Sequence, residues 1–258
     1  MNTLKEIYNY RYMLAGIIHR ELRGRYKGSV LGFLWTFINP FLQFVVYTFV
    51  FSTIRRTNIP NFSVFLFVAF IPWTFFSMAL HSGCAVIIAN GGMVKKIYFP
   101  REVLPIAFVT TNFINMLYCF VIVFAVVFIS GVPINPVAML YLPLIMIIEY
   151  LLALAITFIT SAITVYFRDV QYILSTVSML WMFLTPLFYS IENVPKKYQK
   201  WYILNPMTPI VEVYRDILYR GKIPDWLTLV HAFAVSVVCL CIGIFVFQRL
   251  KKYFAEEL

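Results

Sequence analysis

RELRGRYKGSVLGFLWTFINP, residues 20–40, is the stretch on which the fold turns. Its first third is basic, with Arg20, Arg23, Arg25 and Lys27 opposed only by Glu21. Gly28, Ser29 and Gly32 make a small-residue hinge, and Trp35 then leads into an apolar segment with no charge before Arg55. Lys and Arg belong beside anionic lipid headgroups, and an indole ring suits the headgroup boundary. The run predicts a cytoplasmic approach to a first membrane span. A basic loop ahead of a buried soluble helix shares this local pattern, and the rest of the chain decides against it.

Of the 258 residues, 62% are hydrophobic and 12% charged, with a mean hydropathy of +0.83. Soluble domains are about half apolar and about a quarter charged, so the composition is that of a membrane protein. A net charge of +10 can signal nucleic acid. Here the basic residues flank apolar segments and stay out of them, so the charge reads as topology and no nucleic-acid partner is expected. Cys84, Cys119, Cys239 and Cys241 all fall in apolar segments without metal-ligand spacing, where thiols act as small hydrophobes. The N-terminus is too polar, for too long, to read as a cleaved signal peptide, so the first span is expected to direct insertion.

Leu4, Ile7, Tyr8, Leu14, Ile17, Ile18 and Leu22 recur at helical spacing, predicting an amphipathic helix over 4–22 that lies in the cytoplasmic interface. Six segments then reach the length of about 20 residues that a hydrocarbon core demands. They lie near 33–54, 62–89, 103–130, 137–165, 170–190 and 227–248, and contain Pro40, Pro72, Pro105, Pro143 and Pro186 as expected kinks. With both termini in the cytoplasm, the inner side receives the basic residues of 1–31, then Lys95, Lys96, Arg101, Arg168, Arg249, Lys251 and Lys252. The outer side receives the smaller share: Arg55, Arg56, Lys196, Lys197, Lys200, Arg215, Arg220 and Lys222. That bias favours an inside N-terminus.

Two connections are more than turns. NGGMVKKIYFPRE, residues 90–102, combines a glycine pair, a basic pair and an apolar stretch in one cytoplasmic loop. Residues 191–226 hold Pro195, Pro206, Pro209 and Pro224 between amphipathic pieces. One piece, Pro209 to Tyr219, sets Ile210, Val213, Tyr214 and Ile217 near helical spacing, with Glu212, Arg215 and Asp216 interleaved. Too charged to span, it predicts short helices dipping into the outer half of the membrane; a surface hairpin resting on the bilayer is the alternative. The chain thus reads as one all-α integral membrane domain. An interface helix and basic approach occupy 1–31, spans one to five 32–190, a re-entrant outer segment 191–226, and span six with a cytoplasmic tail 227–258.

Catalytic signatures are missing. The chain has no GxxxxGK[ST], HExxH or GxSxG, and no His–Cys cluster with ligand spacing. His19, His81 and His231 are scattered and read as structural. Glu149 is the one carboxylate inside a predicted span, with Glu102 and Asp169 at span ends. An intramembrane acid points to function by default, but a lone one suits a hydrogen bond between helices better than proton coupling. No catalytic residue, metal site or cofactor bound by this chain is expected. Aromatics are abundant, with 26 Phe, 17 Tyr and 5 Trp, and a surplus lining a passage would stack on sugar faces.

The run at residues 20–40 resembles the first-span signature of ABC-transporter permeases that export polysaccharides, the O-antigen and teichoic acid exporters. GGMVKKIYFPREVLP from Gly91, YFRDVQY from Tyr166 and LNPMTP from Leu204 fit the same family, as do length and topology. The resemblance implies a half-transporter in a bacterial plasma membrane. A second copy of the chain completes the pore, and two copies of a separate ATPase subunit bind ATP and Mg. The cargo it implies is a glycan on a polyprenyl diphosphate, presented from membrane lipid.

The resemblance also implies roles for residues. ATPase coupling falls to Asn90, Gly91, Gly92, Val94, Lys95, Lys96, Phe99 and Arg101, with Glu21, Arg25 and Tyr26 nearby. Arg23, Arg25 and Lys27 would contact the diphosphate, and Tyr47, Trp73, Phe76 and Trp181 would line the glycan passage. Two other readings stay open: a permease for a drug or simple lipid, and a membrane-embedded lipid-linked glycosyltransferase, which would need acids gathered at one cytoplasmic site.

Overall fold

A computed structural model describes residues 3–24, 31–54 and 59–258, and among these residues all regular structure is helical. The N-terminal helix expected as one piece is two, α1 (Thr3–Asn9) and α2 (Arg11–Gly24). At Tyr10 the ladder bends without breaking, since its amide bonds the Glu6 and Ile7 carbonyls and its carbonyl accepts from Leu14. α2 buries Ile17 against the bundle and leaves the α1–α2 face at Tyr8 and Tyr12 exposed.

α3 (Trp35–Thr48) runs on into wider turns over Phe49–Ile54 and buries only Phe44. α4 (Phe62–His81) is apolar on every side, as a helix must be when it is enclosed by others. Through a tight turn at Gly83–Ala85 it continues into α5 (Val86–Ala89) and α6 (Gly91–Lys96). α7 (Val103–Ile129), α8 (Pro136–Met139), α9 (Leu142–Tyr166) and α10 (Val170–Leu184) follow. The segment expected outside, 191–226, supplies α11 (Lys196–Leu204) and α12 (Met207–Leu218). α13 (Trp226–Leu250) and, after a tight turn at Lys251–Tyr253, α14 (Phe254–Glu257) complete the chain. α4 is the centre, with α3, α7, α9, α10 and α12 packed round it.

Among the described residues, five helical runs are long and apolar enough to cross a membrane: Gly32–Phe51, Phe62–Lys96, Val103–Ile129, Pro136–Tyr166 and Trp226–Tyr253. The span expected over 170–190 is shorter. α10 has 15 residues, or about 22 Å at 1.5 Å per residue, against about 30 Å of hydrocarbon. Pro186 is the reason: the residue before a proline is driven out of the helical region, and Thr185 adopts φ −98°, ψ 135°. The prolines expected as kinks divide accordingly. Pro40 and Pro72 lie inside helices. Pro105 and Pro143 sit in the first turns of α7 and α9, where a missing N–H costs no helical bond.

α9 and α13 run side by side at very close range. A Cβ on Gly243 would lie 2.7 Å from the Ala155 carbonyl oxygen, and one turn on Phe158 meets Phe247 edge to face at 5.1 Å. Small residues at helix contacts let backbones approach in this way. Gly221 answers a similar need after α12: its φ is +61° and a Cβ would stand 2.5 Å from the Pro133 carbonyl. Gly243→Ala should therefore push α13 off α9. Thermal unfolding in detergent should show a loss of about 1–3 kcal/mol, the range for overpacking a close contact, whereas Gly16→Ala, with open space around it, should change little.

Candidate functional site

One end of the bundle collects both ends of the chain. Glu6 of α1, residues 94–101 and Lys251–Lys252 line a cleft of about 420 Å³. The short helix α6 reaches this end with Val94 buried and Lys95 and Lys96 exposed. Asn90 anchors its start, donating to the Val86 carbonyl at 2.9 Å and accepting from Arg20 of α2 at 3.3 Å. Tyr10 donates to the Tyr98 carbonyl at 3.4 Å, a second tie between the N-terminal helices and the segment after α6. Phe99 is buried, while Ile97 and Tyr98 face outward. Arg101 donates to the Lys251 carbonyl, and the Lys251 ammonium pairs with Glu102, itself buried.

The opposite end is organised by α12. Its expected polar face is largely enclosed, and Arg215 is 0% exposed. Arg215 Nη1 donates to Glu212 at 2.8 Å, Nη2 to the Leu187 carbonyl at 2.8 Å and Nε to the Phe65 carbonyl at 3.4 Å. The guanidinium also lies 3.6 Å from the Phe65 ring centroid. Arg220 bridges Glu212 at 2.9 Å and Asp216 at 2.7 Å. Beside it, the Tyr214 hydroxyl donates to Glu149 of α9 at 2.6 Å, so the lone span carboxylate holds two helices together. In LNPMTP, Asn205 uses both ends of its amide. It accepts from Trp181 Nε1 at 2.9 Å and from the Met207 amide at 3.0 Å, and donates to the Leu184 carbonyl at 3.2 Å and Thr185 Oγ1 at 3.0 Å.

The expected coupling residues Asn90, Gly91, Gly92, Val94, Lys95, Lys96, Phe99 and Arg101 thus lie at one end beside α2, which carries Glu21. Arg25, Tyr26 and Lys27 lie outside the described residues, so of the expected diphosphate contacts the structure describes Arg23 alone, exposed in the last turn of α2. The four passage aromatics fall in two groups. Tyr47 meets Phe70 at 5.4 Å and Phe188 at 5.2 Å. Trp73 packs on Phe76 at 5.7 Å and Phe76 on Trp181 at 5.3 Å. Trp73 and Phe76 are 2% and 0% exposed, inside a single chain, whereas Tyr47 and Trp181 are half-buried. Sequence reasoning missed Arg215 as a buried group and Phe254 as a partner of Arg101. The interleaving of Arg215 with apolar residues was the available signal for the first; nothing local signalled the second.

Residues 14–219 match the profile of the ABC-2 type transporter family. The O-antigen export system permease protein RfbA of Myxococcus xanthus is 36% identical over 263 residues, covering 100% of both chains. Its namesake in Klebsiella pneumoniae is 29% identical, covering 99% of this chain and 100% of that one. The polysialic acid transport protein KpsM of Escherichia coli is 23% identical over 90% of this chain and 91% of its own.

Breaking the Arg215 network leaves the Leu187 and Phe65 carbonyls without this donor and takes one of two cations from Glu212. Arg215→Met should cost about 3–5 kcal/mol of stability, as removing one partner of a buried pair does. Arg215→Lys should recover part of it, since an ammonium keeps the charge but not the planar fork. Denaturation of the purified protein in detergent measures both.

Proposed function

We propose that this chain, which belongs to the ABC-2 type transporter family, is the membrane permease of an ATP-driven exporter of a polysaccharide of the O-antigen type. The observation that carries the reading is its end-to-end similarity to the Myxococcus xanthus O-antigen export permease. The exporter is built from two copies of this chain and two copies of a separate ATPase subunit, and that subunit binds ATP and Mg. Its cargo is a glycan on a polyprenyl diphosphate, taken from the inner leaflet of the bacterial plasma membrane. Both termini are cytoplasmic, in keeping with their meeting at one end beside Lys95, Lys96 and Arg101.

The chain's own residues then have distinct tasks. α6 and residues 97–101 receive the ATPase, with the N-terminal helices tied to them through Arg20–Asn90 and Tyr10–Tyr98. Arg23 contacts the diphosphate from the end of α2, with Arg25 and Lys27 following it in the chain. The outward apolar faces of α3 and α10, with Phe41, Leu42, Val46, Leu180 and Phe183 exposed, meet the second copy. Tyr47 and Trp181 offer their half-buried rings to the passage, and Phe76 supports Trp181 from behind. α12, pinned by Tyr214 and Arg215, closes the outer end.

Purified alone, the chain should hydrolyse no ATP; with its ATPase in vesicles, it should support hydrolysis that lipid-linked polymer stimulates. Cells lacking it should accumulate polymer inside. Accumulation of a drug or simple lipid in its place, or nucleotide turnover by the chain alone, would overturn the reading.

A further inference from the structure

We propose that residues Lys251–Leu258 form a clip that makes α6 and the adjoining ends of α9 and α13 move as one body, with Phe254 as its positioning residue. The proposal rests on the reading that α6 receives the motion of the ATPase. A helix of six residues has too few internal bonds to hold its own shape in water. Its usefulness as a lever depends on what it is fastened to.

The fastening is made at five places. Phe254 is 0% exposed, with its ring 5.5 Å from Phe247 of α13 and 6.4 Å from Tyr166 of α9. Arg101 lies 5.9 Å above the same ring and donates to the Lys251 carbonyl. Lys251 reaches forward to Glu102, at the head of α7. Leu258 lies against Gly91, with its side chain 3.7–3.9 Å from where a Gly91 Cβ would stand. The Tyr166 hydroxyl, at the end of α9, donates at 2.8 Å to the Leu250 carbonyl in the last turn of α13. A turn that merely capped α13 would need the Phe247 contact alone. This one also grips the first residue of α6, the segment that follows it and the start of α7, so displacement of α6 must carry α9 and α13 along.

The test uses the permease assembled with its ATPase in vesicles containing lipid-linked polymer, with hydrolysis and polymer moved measured together. Phe254→Ala should assemble and hydrolyse ATP within about twofold of wild type, while polymer moved per ATP falls about tenfold, a size known for residues on a coupling path. A purely structural role would lower both readouts in proportion to folded complex. A second arm does not depend on that variant folding. Lys251→Glu breaks the pair with Glu102 and should lower polymer moved per ATP about tenfold with hydrolysis within about twofold of wild type, whereas Lys251→Glu/Glu102→Lys, which restores the pair in reverse, should recover it. Wild-type export per ATP in Phe254→Ala and in Lys251→Glu, or no recovery in the reversed pair, would overturn the clip alone. Absence of ATP-driven export by the wild-type protein would overturn the functional reading beneath it.

Discussion

A guanidinium does not give up its proton in proteins, so burying one demands a partner for each face it shows. Arg215 meets that demand with groups from three places: Glu212 in its own helix, Phe65 of α4, and the Leu187 carbonyl beyond α10. The arrangement solves two problems at once. Pro186 ends α10 early and leaves carbonyls without helical donors, which in a region shielded from water must be matched by protein. Arg215 serves Leu187, and Asn205 serves Leu184. The broken end of α10 and the buried charge of α12 are therefore complementary, and α12 cannot slide on α4 without exposing both.

The packing grades outward from α4. The Phe62–Lys96 run is 78% buried over its most apolar window, against 6% for Gly32–Phe51 and 22% for Trp226–Tyr253. In a soluble protein, exposed apolar faces such as those of α3 and α10 would mark an aggregation hazard or an interface; in a bilayer such faces are tolerated whether acyl chains or a second copy cover them. Polar ties cluster at the two ends, and between them a few hydrogen bonds, Ser77 with Ser178, Thr110 with Tyr150 and Thr157 to the Ala79 carbonyl, cross an interior otherwise packed by apolar side chains.

Much of this was legible in the chain. Hydropathy located every long helix, and the prolines were visible, yet position within a helix decides what a proline does. Pro105 and Pro143 fall in first turns and are silent, while Thr185–Pro186 stops a helix that hydropathy alone extends to 190. The segment expected to couple was readable as a local motif, because Asn90 to Arg101 lie within a dozen residues and gather at one end of the bundle. Its partners were not: Arg101 and Phe254 meet across more than half the chain, and the periodicity of either helix is blind to that pairing. Trp73 shows the converse limit. Hydropathy places it in a span, but only the enclosure of α4 by its neighbours shows that the ring fills a core and lines no surface of the single chain.

α9 links the two organised ends. Glu149 binds Tyr214 in α12, and Tyr166 binds the end of α13 beside Phe254; the two anchor points stand about 25 Å apart along an unbroken helix. Gly243 brings the α13 backbone against Ala155 between them, so the pair forms a double strut stiffer than either helix alone. A displacement at the α6 end thus has a continuous packed route to α12 at the opposite end. Because interiors are close-packed and deform little, such a strut shifts as a unit: motion of α6 would reach α12 as displacement of Glu149, and the hydroxyl of Tyr214 would register it.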